Sequence, residues 1–247
     1  VAAPLETFNI GDMYQSRKFG MMEVISNEGS RNVSVRFVDT GNVVTGLQRG
    51  NVIRGAVKDT MAPTVEGVGY LGTSRNISKL PSYLCWKHMI VRCYSENYHS
   101  TRETYSDCEV ISEWKNFCNF EKWFLTNYIK GYHLDKDLLI QGNRVYSPDT
   151  CCFIPPSINS LIVEKGKIVD GCEAGVTKRR KKGSEDYNGL YNVQYAGVYL
   201  TRTSNLSEAN SLYREFKKLH LEELADKYEM LGIITKQQAH CLRSRKV

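Results

Sequence analysis

The chain has 247 residues, with 33 Lys and Arg against 27 Asp and Glu, a net charge of +6 and 41 % hydrophobic residues. That length holds one large domain or roughly two to three small ones. A mean hydropathy of -0.41 and the lack of any apolar run of about 18 residues exclude a membrane span. The segment Val1-Ala2-Ala3-Pro4-Leu5-Glu6 has neither the basic nor the apolar region of a signal peptide. Eight cysteines include no CxxC pair, which argues against a zinc knuckle and for reduced thiols in a cytosolic protein. The charge is uneven. Residues 1–72 carry 7 basic and 7 acidic side chains, residues 73–162 carry 10 and 9, and residues 163–247 carry 16 and 11. The last third therefore holds most of the positive excess, as a segment that touches a polyanion would.

In chain order, residues 8–58 read as short strands and turns. Met21-Met22-Glu23-Val24-Ile25 precedes the turn Asn27-Glu28-Gly29-Ser30, and Val33-Ser34-Val35-Arg36-Phe37-Val38 alternates apolar and polar. Asp39-Thr40-Gly41-Asn42 is a tight turn before Val43-Val44-Thr45. This predicts a small SH3-like β-barrel or curled sheet of about five strands. Residues 59–82, with Pro63, Gly67, Gly69, Gly72 and Pro81, read as a linker. Tyr83, Trp86, Met89, Ile90 and Cys93 fall on one face of a helix over 83–95. Trp114, Phe117, Phe120, Trp123, Phe124 and Tyr128 form the apolar stripe of a second helix over 111–129, and these aromatics read as core. After residue 170, strands are expected at Gly175–Arg180, Leu190–Tyr195 and Val198–Leu200, with a turn at Lys181-Lys182-Gly183-Ser184. A helix capped by Asn205 or Ser207 follows, then a further helix over about 221–231 and an amphipathic tail.

The densest chemistry lies at His133-Leu134-Asp135-Lys136-Asp137, followed by Gly142-Asn143, Tyr146-Ser147-Pro148, Cys151-Cys152-Phe153 and Asn159. Two carboxylates, an imidazole and an ammonium within one short strand, with an amide further on, are the layout of a strand–turn–strand–helix metal site. Oxygen ligands of this kind suit a hard cation such as Mg²⁺. Strand alternation puts His133, Asp135 and Asp137 on one face and Leu134 and Lys136 on the other. The bland alternative is a solvated surface hairpin. Cys151 and Cys152 read as small buried hydrophobes, because soft sulfur does not suit magnesium.

Residues 83–161 resemble the phage and intron-associated HNH-type endonucleases. The resemblance is carried by Trp86, Met89 and Arg92-Cys93-Tyr94; by Tyr105, Val110, Trp114, Phe117, Phe120 and Trp123; by Leu134-Asp135-Lys136-Asp137; by Tyr146-Ser147-Pro148-Asp149-Thr150-Cys151; and by Asn159. It implies a metal-dependent DNA hydrolase, with Mg²⁺ or another divalent cation on Asp135, Asp137 and Asn159. One departure stands out. Lys136 follows Asp135 where the family places a histidine as general base. Three readings stay open: His133 is the base, Lys136 or Arg92 stabilises the phosphate, or catalysis is impaired.

The C-terminal domain, which follows residue 170, resembles over most of its length the plant ethylene-response-factor (apetala-two) DNA-binding domain, a version of which often sits at the C-terminus of phage homing endonucleases. Gly175-Val176, Tyr191-Asn192-Val193, Tyr199-Leu200, Glu208-Ala209, Tyr213 and Lys217 carry this looser match. It implies a three-stranded sheet in the major groove of double-stranded DNA with a helix behind it. Carried over by position, the candidate contacts are Thr177, Lys178, Arg179, Arg180, Asn192, Gln194, Thr201 and Arg202, with Lys181 and Lys182 on phosphates. The first module, with Arg36–Gly41 and Gly55–Asp59, resembles one seen upstream of such nucleases and implies an accessory DNA contact or a homodimer surface.

The expected architecture is α+β. It comprises a β-barrel module over 1–72, an HNH-like nuclease domain over 73–165 and an apetala-two-like domain over 166–247. The function implied is a site-specific homing endonuclease of a phage mobile element, acting in the cytoplasm of a bacterial host. The alternative is a domesticated, inactive nuclease kept as a transcriptional repressor. An RNA-binding module with a dead core is a third reading.

Overall fold

In the computed structural model, which describes residues 8–162, 170–183 and 186–247, the alternating strands pair as a meander. β1 (Met13–Gln15), β2 (Met21–Asn27), β3 (Val33–Phe37) and β4 (Val43–Leu47) run antiparallel in sequential order. Met22 pairs with Phe37 and Val24 with Val35, so one face collects Met22, Val24, Val33, Val35 and Phe37 into a core with Phe8, Val52 and Val57. The expected barrel is corrected here. Four strands form an open sheet, and no pairing of β4 with β1 closes it among the described residues. Val52, on the short helix α1 (Arg49–Ile53), joins this core in place of a further strand. Buried Asp59 accepts hydrogen bonds from Thr40 Oγ1 at 2.5 Å, Asn42 Nδ2 at 2.8 Å and the Met61 amide at 2.9 Å. That carboxylate ties the tight turn Asp39–Asn42 to the start of the linker.

The helix expected over 83–95 is α2 (Pro81–Tyr94), which buries Trp86, Met89, Ile90 and Cys93. The short α3 (Glu96–His99) and β5 (Glu109–Val110) follow. The single helix expected over 111–129 is corrected to two pieces, a 3₁₀ turn at Ser112–Lys115 and α4 (Phe117–Asn127). Asn116 is the reason. Its backbone is extended, and its side-chain oxygen accepts the Cys118 amide at 2.9 Å. It thus acts as an N-cap that starts a new helix. Trp86 donates its indole N–H to the Trp114 carbonyl at 2.7 Å, and the rings of Trp114, Phe120 and Trp123 pack edge-on or tilted.

The described residues are thus mixed α+β, with several small sheets and seven α-helices. The chain divides into two compact units, Val1–Thr126 and Asn127–Val247. No helix among the described residues is long and apolar enough to cross a membrane.

In the second unit, β6 (His133–Asp135) pairs antiparallel with β8 (Cys152–Ile154), and β7 (Val145–Tyr146) lies in the connection between them. α5 (Pro156–Ile162) follows directly. β9 (Val176–Arg180), β10 (Tyr187–Tyr195) and β11 (Val198–Thr203) make an antiparallel sheet with β10 central. Ser184 of the expected turn and the 165/166 boundary lie outside the described residues. The two helices expected after residue 205 are one, α6 (Leu206–Met230), and the tail is α7 (Lys236–Ser244). No Gly or Pro interrupts 206–230, and Gly232, with φ of +65°, marks the stop.

α6 serves two cores. Ala209 packs with Cys172, Val176 and Val193 under the three-stranded sheet. Leu221 and Ala225 pack with Leu138, Ile154, Ile158 and Ile162, joined by Ala239 and Leu242 of α7. Gly175 explains how closely the sheet approaches the helix. A Cβ there would lie 2.1 Å from the Gln194 carbonyl oxygen and 2.3 Å from the Tyr213 ring. Gly175→Ala is therefore expected to destabilise this unit by about 1–3 kcal/mol, the usual cost of overpacking, seen as a lowered midpoint in thermal unfolding.

Candidate functional site

β6 is short because Asp135 stops it. Its Oδ1 accepts the amides of Asp137 at 3.1 Å and Leu138 at 2.6 Å, a local turn that takes those amides out of strand pairing. The alternation that would bring Asp137 onto the face of His133 and Asp135 therefore does not continue past residue 135. His133 is exposed, while Asp135 and Lys136 are buried.

Lys136 turns into the connection and donates to the Asn143 carbonyl at 2.7 Å. Asn143 answers with its side-chain amide, which donates to the Lys136 carbonyl at 2.6 Å and the Val145 carbonyl at 2.7 Å, while its oxygen accepts the Val145 amide at 3.2 Å. The two residues close residues 136–145 into a fixed loop. Tyr146 is buried beside it. Ser147 and Thr150 bond each other's side chains, and the Cys151 amide reaches the Ser147 carbonyl at 3.0 Å. That turn delivers the chain into β8.

α5 presents Asn159, whose Nδ2 lies 3.4 Å from His133 Nδ1. Thus His133 and Asn159 come together across the hairpin, and Asp135 sits two residues along the strand from His133. Asp137 is held differently. Lys136 Nζ is 3.6 Å from one of its oxygens, and the Arg245 guanidinium is 3.4 Å from the other. Arg92 belongs to the first unit, in the last turn of α2, where its carbonyl meets His99 Nε2 at 2.8 Å.

Burial pushes the Asp135 carboxyl above the usual carboxylate range, and the Asp137 charge adds to this. The backbone bonds and Arg245 oppose it. The thiols of Cys151 and Cys152 are pushed up to about 12, mainly by burial. They are neutral thiols rather than thiolate ligands. Among the described residues no group of three or more His, Cys, Asp or Glu is placed to hold a metal ion. The donors that remain are oxygens. Asp135 Oδ2 and Asn159 Oδ1 accept no hydrogen bond from the described residues. A carboxylate oxygen and an amide oxygen of this kind fit a hard cation that keeps most of its waters, as Mg²⁺ does.

The basic candidates divide by strand register. Thr177, Asn192 and Arg202 form one cross-strand row. Val176 and Val193 form the next row and face α6, so by alternation the row with Arg202 faces away from the helix, and Arg179 lies with it. Arg202 Nε donates to Asn192 Oδ1 at 3.2 Å. Gln194 is exposed beside the bulge in this strand pair. Lys178 and Arg180 are on the other parity, with Thr201 opposite Val193. Lys178 is paired with Asp170 at 2.8 Å, an exposed contact that holds the Asp170 carboxyl below its ordinary range. Lys181 and Lys182 are exposed on the turn after β9, where the Lys181 amide bonds the Asp186 carbonyl at 2.8 Å.

Sequence reading missed Asn143 as more than a turn residue. It also missed Gln238, whose amide donates to the Phe153 carbonyl at 3.1 Å, and Arg245. The Gly-Asn pair signalled the turn, but nothing local pointed from α7 to the hairpin.

Asp135→Asn keeps an oxygen for the two amides and removes a carboxylate that burial disfavours. Because the folded carboxyl titrates above the unfolded one, its charge costs no stability below the ordinary Asp value of about 3.9. The cost appears as pH rises through the folded value and persists above it. The variant is thus expected to match the parent in acid and to show the higher unfolding midpoint at neutral pH, measured by calorimetry across pH. Compared with protein-family models, with curated proteins and with solved structures, the chain matches none.

Proposed function

We propose that this protein is a site-specific, metal-dependent DNA endonuclease of the homing type, in which residues 131–162 hydrolyse the phosphodiester and the β9–β11 sheet reads double-stranded DNA. The observation that carries the reading is the meeting of His133 and Asn159 across a strand–loop–strand–helix unit, 3.4 Å apart, with Asp135 on the same strand. In this reading His133 is the general base. With Nδ1 accepting from Asn159 Nδ2, Nε2 takes the proton of a water that attacks phosphorus as the bond to the leaving oxygen breaks, and that oxygen picks up a proton from solvent. Asp135 and Asn159 would hold the cation, and Asp137, the third candidate ligand, is paired with Lys136 and Arg245. When bound, a divalent cation such as Mg²⁺ neutralises charge developing on the scissile phosphate. Lys136 has its ammonium committed to the loop, which favours His133 over Lys136 as the residue that acts on the substrate.

The finer architecture goes with this reading. The hairpin and α5 act as an HNH-like ββα unit, and the sheet with α6 acts as an apetala-two-like reading head. The open sheet of the first unit would be an accessory contact. Arg179 and the row Thr177, Asn192 and Arg202 supply groups that bond base edges, while Lys181 and Lys182 contact phosphates. Such a protein works where phage DNA is, in the cytoplasm of a bacterial host.

A second reading, a DNA-binding repressor derived from such a nuclease, is favoured by one observation. Both oxygens of Asp137 already face cationic side chains of the chain itself. The two readings part on one experiment, incubation with phage-genome fragments in Mg²⁺ or EDTA followed by mapping of ends and of bound fragments. The endonuclease gives discrete ends at one locus only with Mg²⁺. Bound fragments without ends under any divalent metal would establish the repressor instead.

For the endonuclease, Asp135→Ala and His133→Ala are each expected to lower cleavage at least a hundredfold with the DNA dissociation constant unchanged. Arg202→Ala is expected to weaken specific binding by about 1–3 kcal/mol. Lys182→Ala should weaken all sequences alike and lower the salt slope by about 1. Cleavage assays and salt-titrated binding isotherms check these outcomes.

A further inference from the structure

Arg245 follows α7 and lies in sequence far from every candidate site residue, yet its side chain is only 8 % exposed. Its guanidinium donates to the Asp137 carbonyl at 3.2 Å, to Asp137 Oδ1 at 3.4 Å and to the Ile162 carbonyl at 3.2 Å. Asp137 lies in the loop that leaves β6, and Ile162 is the last residue of α5, the helix that presents Asn159. One planar cation thus bridges the two elements that carry the candidate ligands. It also satisfies a carbonyl at the C-terminal end of α5, where a positive charge is favoured by the helix dipole.

Neighbouring contacts hold the same segment in place. The Gln141 amide brackets the Lys246 backbone, donating to its carbonyl at 3.0 Å and accepting its N–H at 2.9 Å. Cys241 Sγ reaches the Leu139 carbonyl at 3.7 Å. At the start of α7, Gln238 bonds the Phe153 carbonyl of β8. The α7 segment therefore touches the loop after β6, the strand β8 and the end of α5, which are the three parts of the hairpin–helix unit.

We propose that Arg245 is a positioning residue for the candidate site, fixing the Asp135–Asp137 loop against the end of α5 so that the carboxylate and amide oxygens keep one spacing. The proposal rests on the nuclease reading above for the purpose of the positioning, but the positioning itself can be measured without it. Arg is suited to this role because its fork reaches a carboxylate and two carbonyls at once. A lysine at the same place offers a point charge.

The test compares the full chain with Arg245→Met and Arg245→Lys, by hydrogen exchange and by Mg²⁺ titration. Exchange of the Asp137 and Leu138 amides, which are donated to Asp135, is expected to speed up about tenfold in the Met variant. Amides of β10 should exchange as before. The Mg²⁺ concentration for half-maximal cleavage should rise roughly tenfold or more, as for other residues that orient metal ligands, with the DNA dissociation constant unchanged. The Lys variant should fall between parent and Met, and it carries the comparison if the Met variant does not fold. Unchanged exchange at residues 137 and 138 in both variants overturns the proposal. If the parent neither cuts nor responds to Mg²⁺, the nuclease reading fails, and the exchange rates still decide whether Arg245 positions the loop.

Discussion

Ile154, Ile158 and Ile162 are buried against Leu221 and Ala225 of α6 and Ala239 and Leu242 of α7, and the second unit depends on that contact. β6 and β8 contribute only three residues each. A hairpin of that size has no independent stability in water, and a helix as short as α5 has little of its own. Burial of each large aliphatic side chain contributes about 1.5–3 kcal/mol. A handful of such side chains is what lets a three-residue pairing hold His133, Asp135 and Asn159 in a set arrangement.

The same contact gives α6 a double duty. Its first turns pack Ala209 beneath the three-stranded sheet, and its later turns pack Leu221 and Ala225 onto the hairpin core. His220 lies between, with Nδ1 3.1 Å from the Tyr195 hydroxyl of β10. A continuous helix of 25 residues transmits position along its length because its backbone hydrogen bonds leave little freedom to bend without Gly, Pro or an inserted group. The sheet that carries the basic candidates and the core beneath the hairpin therefore pack on one helix.

Charge in the candidate site is arranged at a cost to stability. Asp135, Lys136 and Arg245 are all buried, and a buried charge is tolerated only with partners. Each has them: two amides for Asp135, the Asn143 carbonyl for Lys136, and Asp137 with Ile162 for Arg245. Burial still pushes the Asp135 carboxyl toward its neutral form. A purely structural turn would be served as well by asparagine there. The second oxygen of the Asp135 carboxylate takes no hydrogen bond from the described residues.

Local pattern was enough to place most strands and helices. Alternation in Val33–Phe37 and in the strands after Gly175, and helical spacing in Trp86–Cys93, are repeats of side-chain direction within one segment. The residue types of the candidate site were also legible, because His133, Asp135 and Asn159 carry polar groups that are read directly from the chain. The break at Asn116 was not legible, since an asparagine within an aromatic stripe looks the same whether it faces solvent or caps a helix. The open edge of the first sheet, the unbroken run of α6 and the end of alternation at Asp135 depended on which groups the backbone found as partners. His133 meets Asn159 across 26 residues, and Asp137 meets Arg245 across 108. The sequence by itself determined the elements and the chemical groups they carry, because those follow from neighbours along the chain. Only the tertiary structure decided which groups stand together, because that follows from burial of Ile154, Ile158 and Ile162 under helices that lie far away in sequence.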